Sequence, residues 1–124
     1  EGREDVLLLA GRKPVAMFTL LGVNPRKEAQ LGRLDAAAAQ GLVLRAHFHS
    51  AVARRIFYCR PESQAAMAEV MAIYRRLDAD AGPDGQYQAP HSAADHTRIG
   101  QLFGYPDEAI AFFLARCAAP PPRP

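Results

Sequence analysis

The chain has no tryptophan, two cysteines, two lysines and no long apolar run. Each shortage closes a class of protein. Two cysteines in 124 residues, Cys59 and Cys117, are too few for a disulfide framework. Both sit among apolar neighbours and read as buried thiols, because a free cysteine packs as a small hydrophobe. Nothing approaches the run of about 18 apolar residues that marks a membrane-crossing helix, and no signal-peptide pattern is present. A cytoplasmic location without a membrane partner is the expectation. An excess of one charge is also missing: 15 basic against 13 acidic residues leave a net +2. That falls far short of the basic footprint of a nucleic-acid binder, so nucleic acid is not the expected partner. No Walker loop or dinucleotide fingerprint occurs, and Ser50, Ser63 and Ser92 lack a nucleophile-elbow context. No cofactor is therefore expected, and whether the chain is an enzyme stays open.

What is present is enough for one core. With 124 residues and 49% hydrophobic content, the chain is expected to form a single domain over 1–117. A proline-rich tail, 118–124, is expected to be disordered.

Arg3-Glu4-Asp5 before Val6–Leu9 suits a short helix, with Gly11 and Pro14 as its stop, although the same apolar residues also suit a strand. Val15–Leu21, between Pro14 and Gly22, reads as a buried strand. Asn24-Pro25 opens a helix over 25–40 that stops at Gly41. In 42–49, Leu42, Leu44, Ala46 and Phe48 alternate with Val43, Arg45, His47 and His49, so the first set should face a core. The strand 55–60 returns with Ile56, Phe57, Tyr58 and Cys59. Met67, Val70, Met71, Tyr74 and Leu77 recur at i, i+3, i+4 and i+7 and define one buried face of a helix over 62–79. Gly82–Pro90 is a turn-rich loop. Ser92 then caps a helix, with Asp95 placed for a capping box. Gly104-Tyr105-Pro106 turns into a last helix whose buried stripe should be Ile110, Phe113, Leu114 and Cys117.

These elements predict an α+β fold. A small antiparallel sheet of about three strands would carry helices 25–40 and 62–79 on one face, with the C-terminal helical pair across them. The other face would expose Arg45, His47 and His49, shielded by the 82–90 loop, a ligand or a second subunit. Sheet edges need cover, and a homodimer across a two-fold is one answer.

His47 and His49, two apart on a strand, point the same way. Beside Arg45, and with Tyr58 on the next strand, they can receive a small anionic or aromatic ligand. They can also be surface polarity and nothing more. As metal ligands they would need a third donor from His91, His96, Asp95 or Cys59, and no spacing matches a metal motif, so no metal is assigned. His96 is a candidate ligand contact, or a histidine satisfied inside the core. Basic residues gather at Arg12-Lys13, Arg26-Lys27 and Arg54-Arg55, and helix N-termini with nearby cations hold anions. Cys59 is a candidate reactive thiol only if Arg60 lowers its pKa.

Two segments, A-G-R-K-P-V-A at 10–16 and R-I-G-Q-L-F-G-Y-P-D-E-A-I-A-F-F-L at 98–114, resemble a small family of uncharacterised prokaryotic proteins. That family pairs a G-x-K-P-A turn with a late L-G-Y-P corner and a phenylalanine-rich helix. The resemblance implies no activity. In that family cysteines often follow the Tyr-Pro pair. Here Asp107, Glu108 and Ala109 stand there, which leaves thiol chemistry at that place without its residues. Helix 25–40 followed by the hairpin also resembles the helix and wing of a winged-helix DNA binder, with Arg54 and Arg55 at the wing.

The leading expectation is a non-catalytic binding or accessory domain that holds a small molecule or a protein partner on the polar sheet face. A metal- or histidine-dependent enzyme and a DNA-binding regulator are the alternatives.

Overall fold

The order of elements is α1 (Glu4–Leu9), β1 (Val15–Leu20), α2 (Pro25–Ala39), β2 (Leu44–His49), β3 (Arg54–Cys59), a 3-10 turn (Pro61–Ser63), α3 (Gln64–Ala79), α4 (Ala93–Leu102) and α5 (Asp107–Ala118). They are seen in a computed structural model that describes residues 3–20, 24–81 and 92–118. The expected loop 82–90, His91 and the tail beyond residue 118 lie outside the described residues. The first element is a helix rather than a strand.

The three strands form one antiparallel sheet in the order β1-β3-β2, and the fold is α+β. Val15 pairs with Cys59 and Leu20 with Arg54, while Leu44 pairs with Cys59 and His49 with Arg54. Paired residues share a face, so the register sorts the sheet into two sides. On one side Val15, Phe57 and Cys59 join Met67, Val70 and Leu77 of α3 and Ile99, Leu102 and Phe103 of the α4 region. On the other, Ala16, Phe18, Ile56 and Tyr58 join Leu8 of α1 and Leu34 and Ala37 of α2. The expectation of helices on one face is thus corrected: helices cover both. The reason lies in β3, where five consecutive residues, Arg55 to Cys59, are buried. A strand buried on both sides needs cover on both.

Local chemistry explains most element ends. The Asn24 side chain accepts the Lys27 N–H, with Pro25 at the first helical position. α1, α2 and α4 close alike. Gly11, Gly41 and Gly104 take φ between +75° and +83°, and the next residue's N–H returns to the last turn, as from Tyr105 to the Gly100 carbonyl. Ser92 Oγ accepts the Asp95 N–H, while the Asp95 carboxylate takes Arg76 of α3 at 2.5 Å. Arg98 of α4 reaches Glu69 of α3 at 2.5 Å. These two ion pairs fix α4 along α3.

Two expected core positions are corrected. Leu42 is 56% exposed, because β2 begins two residues later and Val43 turns inward instead. On α5 Ile110 is buried but Phe113 is 48% exposed, because α5 packs mainly against α4 and Phe113 lies at the edge of that contact. Among the described residues no helix is long and apolar enough to cross a membrane.

Candidate functional site

The polar sheet face brings together three of the expected site residues. Arg45 Nη1 lies 3.3 Å from His47 Nδ1, and Arg45 Nε donates to Asp35 Oδ1 at 3.1 Å. Tyr58, whose ring is buried between the sheet and α2, donates its hydroxyl to the same Asp35 oxygen at 2.6 Å. Burial, with the Asp35 carboxylate second, pushes the Tyr58 phenol up to about 12. It therefore stays neutral at ordinary pH. Asp35 was not foreseen as a site residue. It turns Arg45 and Tyr58 toward itself, so both already have an internal partner. His49 points the same way but sits further along β2. It borders a shallow depression with Phe48, Ser50, Arg75 and Asp78.

His96 does not join them. It lies on α4, which packs on the opposite side of the sheet. The expected trio of His47, His49 and His96 is therefore not assembled, and His91 lies outside the described residues. Among the described residues no group of three His, Cys, Asp or Glu side chains is close enough to hold a metal ion. Cys59 is fully buried, and burial raises its thiol, with Glu62 adding to the effect. That is the opposite of what a reactive thiol requires.

Arg55, expected at the wing, is buried instead. Its guanidinium holds Asp78 of α3 in a two-pronged pair at 2.7 and 2.8 Å, and it donates to Thr19 Oγ1 at 3.0 Å. Ser50 Oγ donates to the same Asp78 at 2.7 Å. The Arg55 cation also lies 4.5 Å above the ring of Tyr74. Of the two wing cations only Arg54 faces solvent, which removes half of the charge on which the DNA-binding reading relied.

An apolar concavity lies on the α3 and α4 side. A cavity of about 560 Å³ opens between α3, α4 and α5, with Tyr74, His96, Ile99, Phe103, Ile110 and Phe113 on its walls. Gly100 shapes it: a Cβ there would stand 2.7 Å from Ile110 Cγ1. Gly100 lets α5 come close, and Ile110 fills that place. His96 sets its ring edge against Phe113, centroids 5.1 Å apart. Burial raises the Tyr74 phenol as well, and the other described lining residues are aromatic or aliphatic apart from His96 and Gly100.

One wall of this cavity is anchored to the start of the chain. Lys13 is 7% exposed. Its ammonium lies 4.8 Å from the ring centre of Phe103 and 4.7 Å from that of Tyr105. It also donates to the Phe103 carbonyl at 3.4 Å. Each such cation–ring contact contributes about 0.5–2 kcal/mol. A Cβ on Gly104 would stand 2.6 Å from Pro14 Cδ. The Arg12-Lys13-Pro14 turn and the Phe103-Gly104-Tyr105 corner therefore interlock. These are parts of the two segments singled out in the sequence for their likeness to one family. The sequence reads Lys13 as part of a basic cluster for an anion or as solvated charge; the structure instead buries it against two rings. The two aromatics flanking a turn glycine were the one local sign of a cage.

No family model matches the chain, and neither a curated protein nor a solved structure matches it.

Proposed function

We propose that the chain is a non-catalytic binding domain whose ligand is a small apolar or aromatic molecule, seated in the cavity between α3, α4 and α5. The carrying observation is the cavity itself. It holds about 560 Å³, within the range of roughly 300–1,000 Å³ typical of ligand pockets, which are mostly apolar with a few placed polar groups. The aromatic walls supply the contact area, and the His96 imidazole supplies one polar anchor. The polar sheet face is the weaker place for a ligand, because Asp35 already engages Arg45 and Tyr58.

Indole and benzoate are suitable probes, one neutral and one anionic. Saturable shifts of the Ile99 and Ile110 methyl resonances with indole are expected, and Ile110→Phe, which fills the space, should remove them. Shifts that grow linearly without saturation, or that survive Ile110→Phe, would sink the reading. If the signals of His47 and His49 move instead, the binding site is the sheet face.

A further inference from the structure

A second cavity, of about 370 Å³, sits at the start of α2 and shares no described residue with the first. Glu4 of α1, Thr19 of edge strand β1, and Asn24, Arg26, Lys27 and Gln30 form much of its wall. Its chemistry is that of a receptor for a small anion. The Asn24 cap uses Oδ1 to accept the Lys27 N–H at 3.1 Å, which directs its amide N–H groups elsewhere. Lys27 Nζ spends one of its three hydrogens on the Thr19 carbonyl at 2.8 Å. The helix terminus adds positive potential to the two cations.

The telling residue is Gln30. It is 4% exposed, and its Oε1 is buried without a hydrogen-bond partner. An unmet buried acceptor costs about 1–3 kcal/mol, which a donor entering the cavity would recover. We propose that this cavity binds a small oxyanion that also carries a hydrogen-bond donor. Its oxygens face Arg26, Lys27 and the helix terminus, and its donor faces Gln30 Oε1. Glu4, the single acid among the described residues of the wall, is a second acceptor. It favours anions bearing an O–H over those without one. Hydrogen phosphate is the simplest species with both features.

The test uses the full chain labelled with ¹⁵N and titrated at constant ionic strength with inorganic phosphate and, separately, with sulfate. Sulfate has the same shape but no O–H near neutral pH. Phosphate should give saturable shifts at Arg26, Lys27 and the Gln30 side-chain amide, with affinity about tenfold above sulfate. Arg26→Ala, an exposed change, should weaken phosphate about tenfold with an unaltered circular dichroism spectrum. Gln30→Met should narrow the phosphate-to-sulfate ratio severalfold, leaving only the preference that Glu4 supplies. Equal affinities for the two anions, absence of saturable shifts, or a phosphate preference undiminished in Gln30→Met would overturn the proposal. If Gln30→Met does not fold, the phosphate-to-sulfate ratio of the unaltered chain and the Arg26→Ala result decide it.

Discussion

Under α3 and α4 the sheet buries Val15, Phe57 and Cys59 and packs Leu44, Ala46 and Phe48 of β2 against them. Under α1 and α2 burial stops at β3 and leaves Arg45, His47 and His49 of the same β2 in solvent. Two polar groups of β3 show the same contrast. On the complete side a charge is carried inward with its partner, Arg55 with Asp78. On the incomplete side Tyr58 sends its hydroxyl outward to Asp35. A charge enclosed with its partner has no water to fall back on, whereas one at a rim does.

The sharpest test of this difference removes one acid from each side. Asp78→Ala leaves the Arg55 cation, 5% exposed, without its two-pronged partner, and should cost about 4 kcal/mol. Asp35→Ala should cost about 1 kcal/mol. Urea midpoints with unchanged slopes measure both, and equal losses would erase the distinction.

Glycines give the next contrast. Gly104→Ala forces a side chain into φ +83° and against the rigid ring of Pro14, at about 3 kcal/mol from backbone strain and overpacking together. Gly32→Ala in α2 meets nothing within 4 Å and should gain up to about 1 kcal/mol. Thermal midpoints moving in the same direction would show that the interlocked corner is slack.

The smallest effect is pH-dependent. An unfolded tyrosine ionises near its ordinary value of 10.0, whereas Tyr58 in the folded chain keeps its proton to about 12. The unfolded state therefore releases its proton first, and stability falls as pH rises through that window and is untouched below it. Tyr58→Phe should flatten this alkaline slope while costing about 1 kcal/mol near neutrality. The slope will not vanish, because the Tyr74 phenol is raised too. Unfolding followed from about pH 9 to pH 12 checks it, and an identical slope in the variant would show that Tyr58 keeps no proton beyond the usual range.

The element order was readable from local signals. Period two in Leu44–Phe48, the Met67–Leu77 stripe, Asn24-Pro25 and the turn glycines each act within a few residues. The side that α2 covers was not readable, because Ala36 to Ala39 favour a helix without favouring a face. Arg55 and Asp78 stand 23 positions apart, and no local pattern links them. Phe113 fitted the spacing of a buried stripe, but spacing cannot supply the neighbour that would bury it. At the candidate site, His96 was picked out for its type. The aromatic wall around it comes from three helices and a corner that only the tertiary fold brings together.

Lys13 and Phe103 are 90 positions apart. Bringing two points so distant on the chain together costs about 4 kcal/mol in loop-closure entropy, against much less for the β2–β3 hairpin. Loop-closure cost therefore predicts that the interlock between the Lys13-Pro14 turn and the Gly104 corner forms after the local elements. A chain caught before that step has its hairpin and helices, but not yet the place where a guest would sit.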